Sequence, residues 1–279
     1  SKASSRGYNL IQGNNLTVTQ VHPKTEVVRE SHNVGEAMEN LRRLAEERLG
    51  KTDLDSGLDY GTIAISKYRK SDGTNSWLVT IPGTDGKHDS PFGWPQNVEL
   101  MSSDSKADSA RMVQEAMKQA GIKSNEPVAL IGHSQGGIVA ATIASDLKDD
   151  YDIEHVVTAG SPVANHPIPE KTWVTSVEMD DELVAALDGA ANPSSDHWLT
   201  VRGTASKSSS NQESTFAGTP VTDAPDNKEI THWLKYHQAA YQNATDMGST
   251  AVNTHERHFD EIIDGDLQEV MYFEGRMSK

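Results

Sequence analysis

The chain has 279 residues, a formal net charge of −16 and no cysteine. The negative charge argues against nucleic acid and anionic membrane surfaces as partners, because both would repel the protein. The lack of cysteine excludes disulfides, thiolate metal sites and a cysteine nucleophile. No stretch approaches the roughly 18 continuous apolar residues of a membrane-spanning helix, so we expect no integral membrane segment.

The start of the chain bears on its compartment. Residues 1–6 form a small polar segment without a visible signal peptide, as in a mature secreted protein or a shortened chain. Zero cysteine is compatible with either redox compartment. We expect an extracellular location in preference to a cytoplasmic one.

The first 120 residues alternate strand and helix signals. Apolar side chains recur at helical spacing over residues 34–49, and Gly50 lies just past the end of this pattern. A segment rich in turn-forming residues separates two apolar runs, which indicates a strand pair. The predicted elements are, in chain order, a strand (16–21), a helix (34–49), two strands (61–68 and 77–81), a loop (82–103) and a helix (105–120).

The most informative motif follows. Four apolar residues, 128–131, run into Gly132-His133-Ser134-Gln135-Gly136, and small and apolar residues come directly after it. This order predicts a buried strand, a tight turn with Ser134 at its apex and a helix, which is the nucleophile elbow of α/β-hydrolases. Glycines flank the serine because crowded backbone leaves no room for side chains. The alternative is a glycine-rich turn whose serine only caps the helix.

The second half predicts further strands at 155–159, 173–179 and 197–201, and a helix over 233–243. Strands alternating with helices indicate an α/β fold, with a mainly parallel central sheet and helices on both faces. The carboxyl ends of such strands share one edge, where these folds place their sites. We find no repeat or linker and expect one domain over residues 1–279. The polar segment 204–227 is interpreted as a solvated loop or, alternatively, a mobile lid.

A serine hydroxyl becomes nucleophilic only when a base takes its proton and a third group orients that base. The chain order in α/β-hydrolases is serine, acid, histidine, which places the acid where the strand 173–179 ends. Asp180, Asp181 and Glu182 stand at that position. Acidic residues there are also typical of a solvated turn or a helix N-terminus.

The histidine is chosen by its place in the chain. His232 directly precedes the predicted helix after the last strand, the usual position, and His258 is the alternative that chain order also permits. His197 opens a strand and is expected at the opposite edge of the sheet, and His237 lies too far along the helix to reach the serine easily. The segment His255-Glu256-Arg257-His258 lacks the metalloprotease spacing and is interpreted as a solvated turn, not a metal site.

The negative oxygen that forms on attack needs two donors. One is the backbone N–H of Gln135, the residue after the nucleophile. The other is expected in Gly83-Thr84-Asp85-Gly86, where glycines allow close approach and the Thr84 N–H or hydroxyl can donate. A plain glycine turn at the strand end is the alternative.

These motifs resemble the class-three (fungal-type triacylglycerol) lipase family and its bacterial relatives. The likeness covers roughly residues 60–240, and it rests on the specific elbow and on four weaker segments: 81–84, 94–97, 159–165 and 179–184. Pro82 stands where the family has an arginine. The family's acid turn favours Asp181 as the acid, and sliding the match by one residue gives Glu182.

The resemblance implies hydrolysis of carboxylic esters without a cofactor, with a small-molecule or lipid ester as substrate. We therefore predict a serine ester hydrolase without a metal, in which Ser134 attacks, His232 moves the proton and Asp181 orients the imidazole. The oxyanion is expected at Gln135 and Thr84. The same parts suit a serine peptidase, amidase or thioesterase, and a binding protein that keeps the scaffold is the alternative from another class. These motifs fix neither the ester nor the oligomeric state.

Overall fold

A mostly parallel sheet of eight strands dominates the computed structural model, which describes residues 15–93, 107–180, 192–207, 213–216, 219–222 and 234–278. Its strands are, in chain order, β1 (Asn15–Val21), β2 (Thr62–Arg69), β3 (Asn75–Ile81), β4 (Pro127–His133), β5 (Asp152–Ala159), β6 (Trp173–Met179), β7 (Trp198–Gly203) and β11 (Asp266–Ser278). Their order across the sheet is β1-β11-β2-β3-β4-β5-β6-β7. Neighbours from β3 to β7 are parallel, whereas neighbours from β1 to β3 are antiparallel.

Helices cover both faces of this sheet. In the described residues they are α1 (Val34–Glu47), α2 (Asp108–Ala120), α3 (Gln135–Asp146), α4 (Leu234–Met247) and α5 (Thr250–Ile262). One apolar core joins α1, α4 and α5 to the sheet, and a second joins α2 and α3 to its other face. Side chains of β4 alternate between the two cores, with Ala129 and Ile131 in the first and Val128 and Leu130 in the second. The predicted α/β fold with helices on both faces is therefore confirmed.

Local sequence explains where the helices begin and end. The Asn33 side chain accepts a hydrogen bond from the backbone N–H of Glu36 at 2.8 Å, which caps the first turn of α1. Gly121 ends α2 in the left-handed conformation, with φ of +87°.

Within the part of the chain that the structure describes, no helix combines the length and apolar character needed to cross a membrane.

Two segments of β-structure differ from the sequence prediction. Within 204–227, where the sequence analysis expected a solvated loop, the described residues instead pair as a small antiparallel sheet of β8 (Ala205–Lys207), β9 (Glu213–Phe216) and β10 (Thr219–Thr222). The rest of this segment lies outside the described residues. A role of this segment as a lid stays a prediction. The long strand β11 has no counterpart in the sequence analysis, yet it lies between β1 and β2. Its mixture of charged and apolar residues gives no clear alternation, and its partners are distant in the chain.

Candidate active site

Ser134 occupies a strained turn between β4 and α3. Its φ of +55° and ψ of −119° are unusual for a residue with a side chain, and such strain persists where the surrounding structure enforces it. The Ser134 N–H donates to the Ala159 carbonyl at 2.9 Å, and its carbonyl accepts from the Ser161 hydroxyl at 2.9 Å. Ser134 is partly exposed, so the predicted turn at the carboxyl end of β4 presents a reachable serine.

The glycines around Ser134 are required by close backbone contacts. A Cβ atom on Gly132 would lie 2.3 Å from the carbonyl carbon of Gly136, and a Cβ atom on Gly136 would lie 2.0 Å from the carbonyl oxygen of Ile81. Real Cβ atoms do not approach backbone this closely. The steric reason that the sequence analysis gave for both glycines is therefore confirmed.

The loop after β3 lies directly against this turn. A Cβ atom on Gly83 would lie 2.9 Å from the carbonyl oxygen of His133 and 3.2 Å from Cβ of Ser134. The hydroxyl of Thr84 donates to Oε1 of Gln135 at 3.0 Å, and the Gln135 side chain is buried. The structure thus brings together three predicted site residues, Thr84, Ser134 and Gln135, from two separate strand ends.

The acid candidates follow β6 as the sequence analysis predicted, since that strand ends at Met179. Asp180 is exposed, and its carboxylate accepts a hydrogen bond from the Thr204 hydroxyl at 2.8 Å. Asp181 and Glu182 lie outside the described residues. The choice between them stays a prediction.

The preferred base, His232, also lies outside the described residues, and α4 begins two positions later at Leu234. The sequence analysis set His237 aside as too distant from the serine. The structure instead buries His237 completely and places its ring 5.7 Å, centroid to centroid, from the ring of His133. No sequence signal reveals this contact, because the packing angle of α4 against the sheet decides it.

The alternative base, His258, lies far from Ser134. Its ring stacks on Trp173, the first residue of β6, with centroids 4.2 Å apart, and its Nδ1 lies 3.0 Å from Nδ1 of His155. His155 on β5 pairs with Ala129 on β4. Ala129 lies five residues before Ser134, and five residues of extended strand span about 16 Å, so His155 lies about that far from the serine. The structure therefore excludes His258 as a base for Ser134.

The interpretation of residues 255–258 as a solvated turn is wrong, because they lie within α5 and His255 is buried. The amphipathic helix turns His255 and His258 toward Trp173. The ring of His197 stacks on Trp173, with centroids 4.5 Å apart. Because Trp173 is the first residue of β6, this contact confirms that His197 lies at the edge of the sheet opposite Ser134. Among the described residues, no group of three or more histidines and carboxylates is arranged to hold a metal ion.

Burial lowers the pKa values of three neighbouring histidines, His155, His255 and His258, which we call the histidine cluster. Desolvation, reinforced by the neighbouring histidines, lowers the pKa of His155 well below its usual value. Desolvation also lowers the pKa of His255, and it lowers the pKa of His258 to about 4, with smaller contributions from His255 and His197. Protonation of the cluster therefore favours the unfolded chain.

We expect the cluster to make folding sensitive to acid. Above pH 6.5, the pKa of His258 in the unfolded chain, His258 is neutral in both the folded and the unfolded protein. The free energy of unfolding falls as the pH drops from there toward about 4, the pKa of His258 in the folded protein. Between about pH 7 and pH 4.5, the native protein should lose about 1–2 kcal/mol more unfolding free energy than His258→Gln, allowing for the partial exposure of His258. Urea unfolding at both pH values measures this difference. Equal losses in the two proteins would contradict the expectation.

Comparison with known proteins agrees with this geometry. A family model described as a PGAP1-like alpha/beta domain matches residues 96–215, fewer than half of the residues in the chain. The matched range contains the elbow and the parallel strands from β4 to β7. The protein has an α/β-hydrolase-type fold. The match supports this superfamily without singling out the class-three lipases, and no curated protein matches the chain.

Proposed function

We propose that the protein is a serine ester hydrolase that forms an acyl-enzyme on Ser134. The observation that carries this proposal is the strained, partly exposed Ser134 at the start of α3, with Gly83 packed against its Cβ atom. A turn that serves only to connect a strand and a helix has no need of a positive φ at a serine. The matching family model describes a domain with a hydrolase-type fold, and it supports the proposed hydrolase function.

We propose two backbone donors for the oxyanion that forms at Ser134. Gln135 is the first residue of α3, so its N–H lies at the positive end of the helix. The hydroxyl of Thr84 is engaged with the Gln135 side chain, so we assign the Thr84 backbone N–H as the second donor. We propose that both donors are positioned before reaction begins, which is what makes such hydrogen bonds effective in stabilising an oxyanion.

We propose His232 as the general base. His237, one turn into α4, packs against His133, so the start of α4 lies near the elbow. We further propose Asp181, with Glu182 as the alternative, as the acid that orients the imidazole, because both directly follow the end of β6. The support for both assignments is chain order and the placement of the flanking elements.

The proposed reaction needs no cofactor. The Ser134 oxygen attacks the acyl carbon while His232 takes the hydroxyl proton, and the protonated imidazole returns that proton to the departing alcohol. Water then attacks the acyl-enzyme by the same route and releases the acid. A small-molecule or lipid ester is the proposed substrate class.

We also propose one domain over residues 1–279, since β1 and β11, near the two ends of the chain, join the sheet that carries Ser134.

A fluorophosphonate probe tests the proposal directly, because it reacts with activated serines. We expect native protein to be labelled at Ser134, as located by peptide mass spectrometry, and urea-unfolded protein to remain unlabelled. Ser145→Ala is the matched control, since Ser145 lies near the other end of α3 and its hydroxyl donates to the Thr142 carbonyl and to the Asp146 carboxylate. This variant should label like the native protein.

The outcomes separate the candidate functions. No labelling of native Ser134 would contradict the proposal and favour a binding protein that keeps the scaffold. If Ser134 is labelled and the protein turns over an anilide or a thioester but not the matched ester, the protein is an amidase or a thioesterase instead of an ester hydrolase. Labelling with ester turnover supports the proposal.

A further inference from the structure

A buried arginine reaches the loop that carries the proposed Thr84 donor. Arg48 directly follows α1 and is 4% exposed. Its Nη2 donates to the Gly83 carbonyl at 2.8 Å and lies 3.4 Å from the Thr84 carbonyl oxygen. Its Nη1 lies 3.4 Å from Oδ2 of Asp85. One guanidinium therefore contacts three consecutive residues of this loop.

The contact with Gly83 sets the direction of the next N–H group. The Gly83 carbonyl and the Thr84 N–H belong to one planar trans peptide, so they point in opposite directions. Because Arg48 holds the carbonyl oxygen on its own side, the Thr84 N–H is turned away from the guanidinium. Gly83 simultaneously packs against His133 and Ser134, which keeps this peptide beside the elbow.

Asp85 fixes the arginine and the loop together. Its Oδ2 accepts from the Gly61 N–H at 2.9 Å and from the Ser90 hydroxyl at 2.6 Å, and its Oδ1 accepts from the Lys87 N–H at 3.0 Å. Burial raises the pKa of Asp85 and lowers the pKa of Arg48 to about 10, so the guanidinium stays charged at neutral pH. The pair links the end of α1, the start of β2 and the loop after β3.

Stability alone is a weak reason for such a pair. Desolvation of two buried charges offsets much of their attraction, and apolar residues of similar volume often replace buried ion pairs without loss. A planar guanidinium can hold several oxygens in one geometry through its fixed N–H donors, and an apolar side chain has no such donors.

We propose that Arg48, held by Asp85, is a positioning residue that orients the Thr84 N–H toward the oxyanion formed at Ser134. This inference rests on the proposed ester hydrolysis. It gives the N-terminal region a role in the reaction, although that region contains none of the recognised motifs.

The test is the Arg48→Lys variant, which keeps the charge and the aliphatic stem and loses the planar set of donors. A misdirected donor weakens the transition state more than the bound substrate, so we expect kcat for p-nitrophenyl butyrate to fall by about 10–100-fold, with KM changed by less than about threefold. Arg43→Lys is the matched control, since Arg43 lies on α1 and its Nε donates to the Val27 carbonyl at 2.9 Å. Its kcat should stay within about twofold of the native value.

Each outcome bears on one claim. A native-like kcat in Arg48→Lys, or an equal loss in Arg43→Lys, would overturn the inference while leaving the ester hydrolase intact. A native protein without turnover or fluorophosphonate labelling would instead refute the proposed function. Circular dichroism at 10 °C verifies folding of each variant. If Arg48→Lys is unfolded there, Asp85→Asn, which is isosteric and removes the counter-charge of Arg48, takes its place with the same kcat and KM criteria.

Discussion

We expect Ser134→Ala to hydrolyse p-nitrophenyl butyrate about 10³–10⁶-fold more slowly than the native protein, because loss of the nucleophile leaves only binding and oxyanion stabilisation. The fold should survive, since the elbow is held through the backbone N–H and carbonyl of Ser134. Initial rates at saturating ester, with thermal unfolding of the same samples, measure both expectations.

Ser145→Ala again serves as the control and should keep the native kcat. Its Ser145 hydroxyl donates to the Thr142 carbonyl at 3.1 Å, so its loss affects α3 without touching the elbow. Cleavage by Ser134→Ala at the native rate would remove Ser134 from the reaction. A folded Ser134→Ala protein with lost turnover and a native-like Ser145→Ala protein is the result that the proposal requires.

The second large effect concerns the two histidines that chain order permits. We expect His232→Ala to lose about 10³–10⁶-fold in kcat, because the hydroxyl of Ser134 then has no base. His258→Ala should retain the native kcat, since His258 stacks on Trp173 at the opposite end of the sheet. The comparison is well matched, because each variant removes one imidazole.

The pH–rate profile adds a second measurement to this pair. A base must be neutral to accept a proton, so the rate of the native protein should fall as the pH drops through about 6–7, the ordinary range of histidine. Unchanged kcat and an unchanged acid limb in His232→Ala would contradict the assignment. If His237→Ala loses turnover instead, the base is the buried histidine that packs against His133.

The elbow was predictable because its information is local. A strand, one turn and a helix occupy about twenty consecutive residues, and Gly132 is required by its contact with the backbone of Gly136 in the same segment. The same holds for α1 and for the β2–β3 pair, whose periodicity and turn residues lie in short segments. The strand β11 was missed because its stability comes from β1 and β2, more than 190 residues earlier in the chain.

The amino-acid sequence determined the α/β fold, the elbow at Ser134 and the loop that contains Gly83 and Thr84, because short-range periodicity and backbone crowding encode them. Only the tertiary structure decided that His258 stacks on Trp173 beside the buried His155, that His237 lies beside His133, and that Arg48 holds the loop after β3. These contacts depend on how helices from distant parts of the chain pack on the two faces of the sheet, and that packing leaves no pattern in any single segment.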